Sequence, residues 1–343
     1  MPATNRSPSR MSPAMEPPAD APRRPRILSG VQPSGKLHLG NYFGAIRQHI
    51  ALQEEGDCFF FIADFHALTT IQDPAVLKEN VRAVALDYLA LGLDPEKAAF
   101  FRQSDVPEVT ELSWILSTVT GMGLLERAHS YKDKLARGIP ASAGLFNYPL
   151  LMAADILIYR SNVVPVGQDQ VQHIEMTRDI AGYFNQTWKK VFPLPEARLD
   201  RQLIVPGTDG KKMSKSYGNT IDIFAEGPAL KSAVMKIVTD STPVEAPKDP
   251  QTDNVFALYA LLATAEERDA LAGRYRAGGL GYGDAKKLLI EKIDERFRSA
   301  RQRRRELERD PGLVEASLRR GAERARGEAR ETMRQVREAV GLR

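Results

Sequence analysis

The sequence predicts an α/β protein, a parallel sheet with helices on both faces, continuing into an all-helical C-terminal region. Three observations predict it. Strand-like and helix-like stretches alternate from Arg26 to about residue 222, the signature of strands joined by helical crossovers. Beyond Ile221 the apolar spacing is helical almost throughout. The first strand-to-helix junction, "PSGKLHLGN", is rich in glycine, and in open sheets of this kind ligands settle at such junctions. The fold class is therefore a Rossmann-like parallel-sheet domain followed by an all-helical domain.

The elements follow in order. "RILSGV" is a buried strand, "NYFGAIRQHIALQEE" a helix opening at Asn41, and "CFFFIADF" a second strand. "PAVLKENVRAVALDYLALG" is a helix with Pro74 in its first turn and Gly92 at its end, the positions each residue favours. "AAFFRQ" is a third strand; "NYPLLMAADILIY" is an apolar helix, and the strand "NVVPVG" leads into the helix "QVQHIEMTRDIA". The C-terminal helices break at "RAGGLGYGD" and "RDPGL". Residues 1–25 are rich in Pro, Ser and Ala without an aromatic side chain, so they cannot bury enough apolar surface to offset ordering. They read as a disordered tail. The prolines, Glu16 and Asp20 argue against an amphipathic presequence there. The expected division is thus 1–25 tail, 26–222 sheet domain and 223–343 helical domain.

At 343 residues the chain has room for two domains. Its longest apolar runs are interrupted by Asp or fall well short of the roughly 20 residues a membrane span requires, so no membrane partner is expected. Cys58 is the one cysteine, which leaves no disulfide framework and no multi-cysteine metal site and points to a reducing, cytoplasmic setting. From Arg296 onward there are fifteen Arg and no Lys against eight acidic residues, although the whole chain is only +4. The positive excess belongs to the C-terminal end. It suits a polyanion such as RNA, or equally an Arg/Glu-laced helix face in water.

In "PSGKLHLGN", Gly35 permits a tight turn and Gly40 lets a ligand lie against bare backbone, while the helix beginning at Asn41 offers free N–H groups. His38, Gln32 and Ser34 add side-chain donors. This favours an anion, although the spacing alone suits an ordinary loop with a satisfied histidine as well. It is neither G-x-G-x-x-G nor a Walker A loop. The second stretch, "DGKKMSKSYGN", sets Lys211, Lys212 and Lys215 with Ser214 and Ser216 among glycines 207, 210 and 218. Such a loop can close over a triphosphate and stabilise a departing pyrophosphate; taken singly it suits a solvated basic loop.

Together, "HLGN" and "KMSKS" resemble the paired signatures of class I aminoacyl-tRNA synthetases, in that order, about 170 residues apart. Asn41 at the end of the first motif is similar to the tryptophanyl rather than the tyrosyl branch. "GVQPSGKLHLGNYFGA", "LFNYPLLMAADIL" and "VPVGQDQ" extend the resemblance to the bacterial tryptophanyl type, over residues 26 to 343.

The resemblance implies activation of L-tryptophan with ATP and its transfer to tRNA(Trp), with Mg2+ arriving on ATP, no protein-bound metal, and a homodimer. By residue it implies that Gln32, Pro33, Ser34, Gly40, Asn41 and Gln168 hold ATP, that His38 positions its phosphates, and that Gly167 and Asp169 meet the ribose. Leu203 would touch adenine. Lys134, Lys212 and Lys215 would gather the triphosphate, with Met213, Ser214 and Ser216 completing the loop. Asp155 would accept the indole N–H between walls of Met152, Ile156, Val164 and Val166, and Tyr148, Gln170 and His66 would meet the amino-acid backbone end. The residues support two of these roles directly. Asp155 has Leu151, Met152, Ile158 and Tyr159 as helical neighbours, so its carboxylate is buried and needs a donor. Asp169 follows an apolar strand, where it suits sugar hydroxyls or a helix N-cap. Phe65 in "DFHA" and Tyr217 to Asn219 after the lysine loop depart from the pattern of the best-known bacterial members.

Three rivals remain at this stage. A tyrosyl synthetase shares the fold; a non-catalytic, RNA-binding paralogue usually loses a signature, and both are present; a small nucleotidyltransferase would lack the helical C-terminal third.

Overall fold

The computed structural model describes residues 24–128, 142–199 and 204–342. Residues 1–23, and with them nearly all of the expected tail, lie outside the described residues, as do Lys134 and Leu203.

Five strands form one parallel sheet: β1 (Arg26–Val31), β2 (Asp57–Ile62), β3 (Ala98–Arg102), β4 (Val163–Val166) and β5 (Glu196–Leu199), in the spatial order β3-β2-β1-β4-β5. The continuous apolar run of β2 follows from burial on both faces. Strand order reverses at β1. β1 pairs with β2 along its whole length, from Arg26↔Asp57 to Val31↔Ile62, but with β4 only at Ile27↔Val163. The two central strands therefore part toward their C-terminal ends and open a crevice.

After β1 come α1 (Leu39–Asn41), a π-helical turn over Tyr42–Ile46 and α2 (Arg47–Leu52). The helix expected from Asn41 starts two residues earlier and is wound wide in its middle. α3 (Asp64–Ala67) follows β2, and α4 (Pro74–Ala90) is capped by Asp73, which accepts from the N–H groups of Ala75 and Val76. α5 (Glu108–Ser117), α6 (Met122–Glu126), α7 (Ala143–Ile158) and α8 (Val171–Thr187) complete the sheet domain. Then come α9 (Gly227–Met235), α10 (Asn254–Ala260), α11 (Ala265–Ala277), α12 (Tyr282–Arg309) and α13 (Pro311–Val340). The breaks before α12 and α13 fall at the two predicted glycine-bearing stretches.

A core lies on each face of the sheet, and neither stops at residue 222. The first joins Ile27, Phe60, Phe100 and Tyr88 to Ile223, Leu230 and Phe297. The second joins Leu28, Phe101, Leu157 and Ile180 to Ala325, Met333 and Val336 of α13. The last helix lies across the edge strand β3, and a Cβ on its Gly321 would overlap the carbonyl of Phe100. The predicted helices are present, yet they share both cores with the sheet, because the apolar edge strand needs a cover.

The Arg-rich end does something that neither sequence reading contained. Arg304 pairs with Asp87 at 2.7 Å, Arg324 with Asp57, Arg326 and Arg330 with Glu108 at 3.3 Å each, and Arg337 with Glu111 at 2.5 Å. Much of the positive excess thus faces acids of the sheet domain. No helix among the described residues is long and apolar enough to cross a membrane.

Candidate active site

The crevice between β1 and β4 deepens into a cavity of about 530 Å³, walled by Leu28 to Gly30, by Val164 to Val166, and by Tyr148, Met152, Asp155 and Ile156 of α7. Gln32, His66, Gly167 and Gln170 reach its rim or wall. Ten of the predicted site residues therefore line one space.

Asp155 is 2 % exposed. Its Oδ2 lies 2.9 Å from His66 Nε2, and Gln103 Nε2 donates to both carboxylate oxygens at 2.9 Å. Burial raises the Asp155 pKa, and the bonds from His66 and Gln103 hold it back. A carboxylate offers about four acceptor positions, so capacity remains for one more donor from the cavity. His66, expected at the amino-acid backbone end, stands beside Asp155. Gln103 was not singled out by sequence. It sits where β3 ends, and its Oε1 accepts the N–H of Phe65 at 3.1 Å. Asp64 accepts from the N–H of Ser104 at 3.0 Å and from its hydroxyl at 2.5 Å. The loops after β2 and β3 are thereby laced together, and residue 65 contributes its backbone to this lacing.

Tyr148 shares a 2.5 Å hydrogen bond with His173 Nε2, and burial pushes its phenol up to about 12. His173 of α8 was also missed; its signal was a polar residue on the buried face of "QVQHIEM". Gln170 occupies the N-cap position of α8 and donates to Asp169 Oδ2 at 3.2 Å, without capping by a side chain. Asp169 is therefore no helix cap. It is exposed, like Gln168, at the mouth of the crevice.

The two signature stretches touch. Gly40 N–H donates to Met213 Sδ at 3.3 Å, and a Cβ at Gly40 would stand 2.9 Å from His38 Nδ1 and 3.2 Å from Met213 Cβ. Met213 is buried, so it anchors the lysine loop under the first motif. Lys215 Nζ donates to the carbonyl of Ser34 at 2.7 Å. Pro33 is buried behind this turn, while Lys212 and Ser216 are exposed. The hydroxyls of Ser214 and Ser216 lie 2.8 Å apart. Asn219, from the departing "YGN", braces the loop from inside: Oδ1 accepts Ser214 N–H at 2.8 Å and Nδ2 donates to Asp209 at 2.6 Å.

His38 caps α1, with Nδ1 accepting from Asn41 N–H at 3.3 Å while Asn41 Oδ1 accepts from His38 N–H at 3.2 Å. Burial, with the Lys215 charge second, lowers its pKa to about 4. The ring is neutral near pH 7, and because Nδ1 accepts, the proton is on Nε2. Burial likewise lowers the pKa of Lys215.

A parallel sheet with these two loops at its switch point is the arrangement of an enzyme that handles a nucleotide and a small apolar substrate side by side. Residues 21–298 match the tRNA synthetases class I (W and Y), and the chain belongs to this family. The chain is 56 % identical over 319 residues to the tryptophan–tRNA ligase of Rhodopirellula baltica, covering 93 % of this chain and 100 % of that one. It is 55 % identical to that of Fusobacterium nucleatum, covering 92 % and 98 %. The structure of tryptophanyl-tRNA synthetase from Campylobacter jejuni complexed with ADP and tryptophan superposes with a TM-score of 0.89 at 51 % identity, covering 92 % of this chain and 100 % of that one.

Proposed function

We infer that this chain activates L-tryptophan with ATP, releasing pyrophosphate, and transfers the acyl group from the adenylate to tRNA(Trp). The observation that carries the reading is Asp155, a buried carboxylate among the apolar walls of Met152, Ile156, Val164 and Val166 in the cavity. The indole N–H is the one polar group on a tryptophan side chain, and a cavity with an acceptor there penalises phenylalanine by leaving that acceptor unpaired. Met152, Ile156, Val164 and Val166 then face the ring, and Tyr148 and Gln170 the amino-acid end.

Catalysis is by positioning and charge. The tryptophan carboxylate, already ionised, attacks the α-phosphorus; the bond to pyrophosphate breaks and the released charge is met by Lys212 and Lys215, with Lys134 assigned the same task by resemblance. His38 donates from Nε2 without carrying a charge. Gln32, Ser34, Gly40 and Asn41 hold the phosphates, Gly167 and Asp169 the ribose, and Leu203 the adenine. Mg2+ is assigned to the ATP phosphates and water. The cytoplasm, where tRNA is charged, is the proposed setting. A homodimer is proposed as well, with exposed Trp114 and Met122 as candidate contact residues. Residues 223–343 are proposed to meet tRNA.

The test is ATP–pyrophosphate exchange with tryptophan and tyrosine in competition, followed by tRNA charging. Tryptophan-dependent exchange supports the reading, and exchange driven by tyrosine overturns it.

A further inference from the structure

Beneath the site lies a buried chain of three polar side chains that the reaction above does not use. Ser29 of β1 and His49 of α2 both reach the cavity wall, each 7 % exposed. Ser29 Oγ is 3.1 Å from His49 Nε2, and His49 Nδ1 is 3.2 Å from the Tyr88 hydroxyl on α4. The imidazole is stacked 5.8 Å from Phe60, and Tyr88 is stacked 5.6 Å from Phe100, both nearly parallel. Rings so packed cannot turn to find other partners.

Counting donors fixes the direction of the chain. A neutral imidazole has one N–H, and burial lowers the His49 pKa to about 4. If Nδ1 carried the proton and donated to Tyr88, the phenolic O–H would be left in the core with no acceptor, at the cost of its desolvation. In the other tautomer Tyr88 O–H donates to Nδ1 and Nε2–H donates to Ser29 Oγ, so the one hydroxyl proton without a protein acceptor is that of Ser29, which lines the cavity, and not that of Tyr88 in the core. The Ser29 hydroxyl then accepts from behind, and its own proton points away from His49. No other side-chain hydrogen bond of Ser29 is present among the described residues.

We propose that His49 and Tyr88 form a positioning relay that fixes Ser29 as a hydrogen-bond donor into the cavity, to an acceptor atom of the bound tryptophan or ATP. A hydroxyl that accepts one hydrogen bond is a stronger donor in the next. The inference deepens the proposed function and rests on the cavity being the activation site. His49 is a positioning residue, because it acts through Ser29.

Steady-state pyrophosphate exchange with the full chain tests it, with KM read separately for tryptophan and for ATP and folding followed by the thermal midpoint. Activity of the unaltered protein tests the underlying reading by itself; the variants test the relay. Ser29→Ala is expected to lower kcat/KM roughly three- to ten-fold through the KM of one substrate, which identifies the acceptor's owner. His49→Phe, which keeps a ring on Phe60, is expected to do the same to the same substrate, and the double variant no more than either alone. His49→Gln, whose amide can accept from Tyr88 and donate to Ser29, is expected to recover most of the loss. Tyr88→Phe gives an independent reading where His49→Phe does not fold, with the same substrate affected. Unchanged KM values in Ser29→Ala overturn the proposal. So do losses that multiply in the double variant, or a folded His49→Gln no better than His49→Phe.

Discussion

The ammonium of Lys215 is bound to the carbonyl of Ser34 across 2.7 Å, so a lysine from the second signature stands against the turn of the first. Met213 beneath it ties the same two segments together. The cation is fixed by backbone, at the place proposed for the departing pyrophosphate. Lys215→Ala is therefore expected to slow adenylate formation at least roughly ten-fold while leaving tryptophan affinity nearly unchanged, because the contact strengthens mainly in the transition state. Pre-steady-state adenylate formation checks this. Loss confined to tryptophan binding would count against it.

Asp155 supports the substrate assignment from the other side of the crevice. Asp155→Ala removes the acceptor that Gln103 and His66 hold in place, and a charge-assisted bond in a dry site is worth about 1.5–3 kcal/mol. The expected result is a roughly ten- to hundred-fold loss in kcat/KM for tryptophan with the KM for ATP moved far less. Calorimetric titration of each substrate separates the two, and equal losses would remove Asp155 from the indole.

Some of this was legible in the sequence for physical reasons. An anion cradle demands glycines and cations at close spacing, so the two signature stretches announce themselves, and an acid amid Leu151, Met152 and Ile158 can hardly be a surface residue. Gln103 gave no comparable signal, because one polar residue at the end of an apolar strand is ordinary. Ser29 and His49 are unremarkable until β1 and α2 are packed together. The charge count of the Arg-rich end gave its sign but not its partners. Those became visible only when α13 lay on β3, placing Arg324 beside Asp57 and Arg337 beside Glu111.

Gly321 tests that packing. A methyl group there meets the backbone of Phe100, which cannot move aside as a flexible side chain would, so Gly321→Ala is expected to destabilise by about 1–3 kcal/mol. Urea unfolding measures it. A midpoint unchanged from the parent would mean that α13 does not hold this close approach to β3.

The two buried histidines act on stability in a defined pH window. His38 and His49 both have folded pKa values of about 4 against an ordinary 6.5, so at these two sites the unfolded chain binds more protons between those limits and their contribution to stability declines as pH drops from about 6.5 toward 4. Asp87 opposes this: burial raises its pKa to about 6, so its contribution is present below 3.8 and lost as pH rises through 6. Asp105 and Asp155, whose pKa values burial also raises, act in the same sense as Asp87, so the histidine contribution is read as the difference between the parent and a variant. His49→Gln should lose less stability toward acid than the parent, as read from the slope of denaturant midpoints across pH 4–7. An unaltered slope in that variant would show that His49 does not titrate as its burial requires.

The Arg-rich helices separate into arginines that hold the fold and arginines that face water. Arg304 lies against buried Asp87, so Arg304→Gln leaves a buried carboxylate without its partner and is expected to lower the thermal midpoint. Arg303 is exposed, with only a loose 3.6 Å pair to Glu306 on its own helix, and Arg298 is exposed as well. If this face of α12 meets RNA phosphates, Arg298→Gln and Arg303→Gln should leave the thermal midpoint and adenylate formation intact while weakening tRNA binding. Each lost phosphate contact reduces the slope of log affinity against log salt by roughly 0.7 to 0.9. Filter binding of tRNA at several salt concentrations gives that slope directly. If affinity and slope both stay at the parental values, the exposed face of α12 is only solvated and tRNA is held by another part of the surface.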